Sequence, residues 1–213
     1  MYRLTATVLA AATILLVGTA ARPAAQASAQ GQGIQLPVRL TAFAVNMSNI
    51  GTGTSGTAEI RIEQWSSAAE RKRLIETMLN KGQDALLSAV QKVSSKGRMR
   101  FPGWMGPDPH QAQLGWDLRY AWHVPAPEGG HQIVLGFDRY IGFWEARDQP
   151  RTVDYPFSLV QILLNKDGEG EGKYAVATKL SFDKKKNQLE IENYSTEPIR
   201  LNNIKMESMK KKT

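Results

Sequence analysis

The chain has 213 residues, 27 basic against 20 acidic, a formal net charge of +7 and no cysteine. The lack of cysteine excludes a disulfide scaffold, a thiol redox protein and a Cys-type zinc site. The length, once a leader is set aside, fits one domain with a real core.

That leader is residues 1–27. Arg3 opens it, "LTATVLAAATILLVGTA" runs without charge from Leu4 to Ala20, and "ARPAAQASA" carries small residues at Ala25 and Ala27. This order is that of a cleavable secretory signal, so the expected location is periplasmic or secreted, with no stable membrane span after cleavage. A retained anchor is the alternative, on an apolar run of about 17 residues near the lower limit for a span. Cleavage removes Arg3 and Arg22 and leaves 25 basic against 20 acidic residues. Residues 28–37 read as a flexible lead-in, 38–206 as a single α+β domain and 207–213 as a basic tail. Lys210, Lys211 and Lys212 in that tail suit a solvated end, not a nucleic-acid contact.

"VRLTAFAVNM" alternates from Val38 to Met47 and is expected to form a strand buried on much of both faces. "NIGTGTSGTAEIRIEQW" follows, and Gly51, Gly53 and Gly56 spell G-x-G-x-x-G. A dinucleotide fingerprint needs those glycines to end a strand and open a helix. Here they open a second strand, with Ala58, Ile60 and Ile62 on one side and Glu59, Arg61 and Glu63 on the other, and the acidic candidate Glu76 falls inside a helix pattern. A glycine-rich hairpin loop is the reading. Ser67 and Glu70 then form an S-x-x-E capping box. Leu74, Ile75, Met78 and Leu79 make an apolar stripe that Gly82 ends, and Leu86, Leu87, Val90 and Val93 make a second that Gly97 ends. The expectation is a two-helix hairpin packed on a sheet, with Arg71, Lys72, Arg73 and Lys81 on solvated faces.

Eleven of the seventeen aromatic residues fall between Phe101 and Phe157. "FPGWMGPDPH" is an irregular loop. "GWDLRYAWHV" reads as a strand with Trp116, Leu118, Tyr120 and Trp122 on one face and Asp117, Arg119 and His123 on the other. "HQIVLGFDRY" returns with Ile133, Leu135 and Phe137 inward, and "IGFWEARDQPRTVDYP" is a long loop. The last third is a meander of "FSLVQILLN", "KYAVATKLSF", "QLEIENY" and "PIRLNNIKM".

Recognisable chemistry is sparse. "NKDGEGEGK" spaces Asn165, Asp167 and Glu169 like a calcium loop, but Val176 stands where the bidentate carboxylate belongs, so a hairpin turn is expected. His110, His123 and His131 lie near Asp108, Asp117 and Asp138 without a metal-ligand spacing, and no metal or other cofactor is expected. "GTSGT" around Ser55 misses the nucleophile elbow by one residue. Asp138, Glu145, Asp148 and Asp154 could act as acids and bases, since catalytic carboxylates need meet only in the fold. The aromatic loops are the stronger lead: an exposed indole beside charged groups can stack on and orient a ligand. The candidate ligand-binding residues are Trp104, Arg119, His123, Asp138, Trp144, Glu145 and Arg147, with Trp144 and Glu145 foremost.

"DALLSAVQKV", "GWDLRYAW", "IGFWEARDQPRTVDYPF" and "LSFDKKKNQLEIENY" resemble an uncharacterised family of exported bacterial proteins, over about Thr41 to Met206. The resemblance implies export and supplies no activity, cofactor or catalytic residue.

The expected fold is α+β: a mostly antiparallel sheet of seven or eight strands, the helical hairpin on one face. The expected function is that of a non-catalytic exported binding protein whose ligand is a small molecule, a glycan or a protein. The alternative is a cell-envelope hydrolase using a carboxylate pair in the same region.

Overall fold

The computed structural model describes residues 33–47, 55–104, 109–139, 141, 156–183, 188–193 and 199–209. The strands are β1 (Val38–Val45), β2 (Ser55–Ile62), β3 (Gly97–Arg100), β4 (Trp116–Leu118), β5 (Tyr120–Pro125), β6 (His131–Phe137), β7 (Phe157–Leu164), β8 (Glu169–Asp183), β9 (Gln188–Asn193) and β10 (Ile199–Ser208). Helix α1 (Ala68–Gln91) joins β2 to β3, and the six-residue α2 (Pro109–Leu114) joins β3 to β4.

All pairing is antiparallel, along the order β4-β3-β2-β1-β10-β8-β7-β6-β5, with β9 on the far end of β8. The two ends of that order, β4 and β5, are consecutive in the chain and parted only by Arg119. One bent stretch therefore pairs β3 with its first half and β6 with its second. The Lys96 N–H donates to the Leu118 carbonyl at 2.7 Å, and the Arg119 N–H donates to Gly136 on the other side at 2.9 Å. The result is a nearly closed barrel of ten strands, not the antiparallel sheet of seven or eight strands with a helical hairpin on one face that the pattern suggested. Closure was hidden because a strand shared between two neighbours has the same alternation as one with a free edge.

The two-helix hairpin is also corrected. The stretch after Gly82 continues α1 as a single kinked helix. Gly82 has φ 80° and ψ −172°, a combination only glycine adopts readily, so it bends the helix without reversing it. The capping box at Ser67 and Glu70 forms as expected, Ser67 N–H to Glu70 Oε2 at 2.9 Å and Glu70 N–H to Ser67 Oγ at 3.1 Å.

Alternation places one side of each strand inside. Leu40, Ala42, Ala44, Ala58, Ile60, Ile62, Met99, Ile133, Leu135, Val160, Ile162, Leu201 and Ile204 fill the interior. The outer face of β1 is half-buried, and Phe43 on it is 46% exposed. Ile34 and Leu36, from the lead-in, pack against this core. The acid-rich turn closes on Asn165, whose Oδ1 accepts from the Asp167 and Glu169 N–H groups at 2.9 and 3.0 Å. Its "GEG" runs into strand β8, and Gly170 there has no room for a side chain, since a Cβ would lie 1.9 Å from the Leu163 carbonyl oxygen.

The outside of the barrel has two characters. Across β10, β1, β2, β3 and β4 it is charged: Arg39 pairs Glu207, Arg100 grips Glu59 with two bonds of 3.0 and 3.1 Å, and Arg98 pairs Asp117 at 3.0 Å. Where α1 lies over β5 to β8 it is apolar.

Candidate functional site

The apolar wall exists because the face pattern slips at Arg119. Leu118 points inward, but the next inward residues are Ala121 and His123, which leaves Tyr120 and Trp122 outside. An extra residue in a strand turns every later side chain to the other face. The sequence reading had placed Tyr120 and Trp122 with Leu118. Val134 and Gly136 from β6, Leu159 and Phe157 from β7 and Leu180 from β8 complete the wall.

Between this wall and α1 runs a groove of about 300 Å³. The first leg of α1 contributes Leu74, Ile75 and Met78, and the leg after the Gly82 kink contributes Leu86 and Val90. Gly136 keeps the floor low: a Cβ there would approach Tyr120 Cβ at 3.3 Å and Leu159 Cδ2 at 3.4 Å. The volume is at the low end of small-molecule sites, and the lining is apolar except at one place.

That place is Arg71. Its guanidinium lies 5.1 Å from the Trp122 ring centroid, and its charge bears on the Tyr120 hydroxyl in the same lining. Tyr120 and Trp122 stack, centroids 6.4 Å apart and planes 10° apart. Burial raises the Tyr120 hydroxyl above its ordinary pKa, only partly offset by the nearby Arg71 charge, so the hydroxyl stays protonated. Among the described residues no carboxylate pairs with Arg71. Arg71 is exposed, as its place on a polar helix face implies, and it also borders the groove. Its spacing held the correct signal, since Arg71, Leu74, Ile75 and Met78 stand at i, i+3, i+4 and i+7.

The candidate residues named from sequence are dispersed. Arg119 and Asp138 come together as an ion pair at 3.2 Å, and Arg139 holds the second Asp138 oxygen at 3.0 Å. Arg119 also donates to the Val93 carbonyl at 3.0 Å, tying the end of the helical connection to the barrel seam. Trp104 packs against the core just beyond the end of β3. His123 lies near the start of β6, and because β3 and β6 run the same way round the barrel, the two residues occupy opposite ends. Trp144, Glu145 and Arg147, with Asp148 and Asp154, lie outside the described residues.

His123 belongs to a small buried polar group. Its Nε2 is 3.0 Å from His131 Nδ1, and its ring centroid is 5.6 Å from that of Trp65. His123 Nδ1 and Trp65 Nε1 are both buried without a hydrogen-bond partner. Burial, and then the neighbouring His131, push the His123 pKa down to about 4, so the ring is neutral near pH 7. Lys96, a buried charge 2% exposed, meets Glu70 at 3.0 Å. Burial works to raise the Glu70 carboxyl, but the Ser67 N–H and Lys96 together hold it below its usual value. This pair fastens the N-terminal turn of α1 to the start of β3.

Among the described residues, no group of three or more histidine, aspartate or glutamate side chains is placed to hold a metal ion. No helix among them is long and apolar enough to cross a membrane. The fold and groove thus define a nearly closed antiparallel barrel with an external, helix-roofed apolar site. No family model, curated protein or solved structure matches the chain.

Proposed function

We propose that this is an exported, non-catalytic binding protein that holds an apolar small molecule in the groove between α1 and the outer wall of β5 to β8. The observation that carries the reading is the groove itself: about 300 Å³, walled by side chains of one kinked helix and four strands. Its aromatic members Tyr120, Trp122, Phe137 and Phe157 come from the aromatic-rich middle of the chain, although they stand on strands and not on loops. Export rests on the signal-like residues 1–27. The groove lining contains no carboxylate, and Asp138 is engaged by two arginines, so the hydrolase alternative gains no support from this site.

A neutral fluorescent naphthylamine dye, bright only in apolar surroundings, tests the proposal. The wild-type protein should bind it saturably. Leu86→Trp, which fills the groove from the helix side, should reduce binding at least tenfold while the far-ultraviolet circular dichroism stays unchanged. Dye binding that survives Leu86→Trp in a folded protein would place the site elsewhere.

A further inference from the structure

The groove has one charged group at its rim, and that group is positioned in a way a simple structural cation is not. Arg71 lies over the Trp122 ring at 5.1 Å, beside Tyr120 in the groove lining, yet no carboxylate among the described residues neutralises it. A guanidinium placed in this manner keeps N–H donors for an anion, and its planar fork suits a carboxylate. The Tyr120 hydroxyl, protonated at neutral pH, borders the same spot. From there the apolar surface continues along Leu74 and Met78 towards Leu86 and Val90, past the Gly82 kink. One end is cationic and the rest hydrocarbon, so the complementary molecule is an amphiphile with a single anionic head and a narrow tail. Of the other cations near this end of α1, Lys72 and Lys96 are already paired, to Glu76 at 3.8 Å and Glu70 at 3.0 Å, and Arg73 does not line the groove.

We infer that the ligand is an unbranched fatty acid, its carboxylate on Arg71 and its alkyl chain in the groove. This rests on the groove being a binding site, and it adds the chemical class of the occupant and the residue that selects it. The side chains bind and orient; no bond is made or broken.

The test is calorimetric titration of the full chain with octanoate, decanoate and dodecanoate and with the alcohols of the same lengths, all below micelle-forming concentration. Each added methylene should tighten binding about fourfold until the groove is full. Each carboxylate should bind about tenfold tighter than its alcohol, the scale of a hydrogen bond to a charged partner. Arg71→Gln should abolish that preference, so that carboxylate and alcohol bind alike, and Arg71→Lys should restore part of it. Alcohols that match carboxylates in the wild type, or a preference that survives Arg71→Gln, would overturn the headgroup assignment while leaving an apolar groove intact. No binding of either series, with no effect of Leu86→Trp on the dye, would overturn the site as well. Binding only to phosphatidylglycerol vesicles and not to the free acids would replace the fatty acid by a membrane surface and reject the inference.

Discussion

His123 is the residue whose chemistry the fold alters most. Its side chain is 1% exposed, and its Nδ1 has no partner. Alternation through "GWDLRYAWHV" groups it with Asp117 and Arg119 on a polar face, but the slip at Arg119 carries it inside, where a charged imidazole is poorly solvated. Burial and His131 hold its pKa at about 4, whereas an unfolded chain keeps a histidine near about 6.5. Between these values the unfolded state binds a proton that the folded state refuses. Stability from this residue is therefore complete above about pH 6.5, falls as the pH drops through the window, and levels off near about pH 4. The full drop is on the order of 3 kcal/mol. Urea unfolding midpoints at pH 7, 5.5 and 4 should show it in the wild type, and His123→Leu should flatten it. A slope equally steep in the variant would assign the effect to other groups. Glu70, whose carboxyl is held below its usual value, acts only in the more acidic range.

At the scale of elements, the seam and the helix decide where a ligand can go. The slip at Arg119 presents Tyr120 and Trp122 outward, and the Arg119 guanidinium braces the seam through Asp138 and the Val93 carbonyl. Arg119→Ala would leave that carbonyl without its donor and Asp138 with Arg139 alone. We expect a loss of about 2 kcal/mol, read as a lower denaturation midpoint; a change below about 0.5 kcal/mol would mean the brace is ornamental. Helix α1 depends in the same way on Gly82. Open space surrounds the position where a Cβ would stand, so Gly82→Ala meets no clash and only the backbone term remains. That term should cost about 1–3 kcal/mol. If α1 instead relaxes into a straight helix, Leu86 and Val90 leave the wall, and dye affinity should fall with the denaturation midpoint. An unchanged midpoint and affinity would show that the bend is not needed. Sequence pattern located both apolar stripes of α1 and its capping box. It misjudged Gly82 because a glycine that bends a helix and one that ends it have the same neighbours.

At the scale of the molecule, the inner faces of β1, β2 and β6 were legible because period-two alternation survives any strand arrangement. Closure was not, since it depends on β1 meeting β10 and on one bent stretch serving both β3 and β6, pairings that local pattern cannot encode. A filled interior is consistent with the external site proposed above. A small barrel can use its inside for side chains or for a ligand, and here Leu40, Ile60, Met99, Leu135 and Ile162 take that space. The helix that covers the apolar wall is secured near both ends, by Lys96 on Glu70 at its start and by Arg119 on the Val93 carbonyl just beyond its finish. Its middle spans the groove. A molecule bound there touches α1 and the wall together, so it should stabilise their contact while adding little inside the barrel. Hydrogen exchange can read that difference. With decanoate at about 100 times its dissociation constant, opening of α1 away from the wall should become harder by about 2.7 kcal/mol, a slowing of roughly a hundredfold for amides between Leu74 and Val90 that exchange by this route. Amides of β1 and β2, on the charged side of the barrel, exchange through openings that leave the groove in place and should change far less. Equal protection of both walls would mean that the ligand acts through global stability or binds inside the barrel, and the external groove would lose its role.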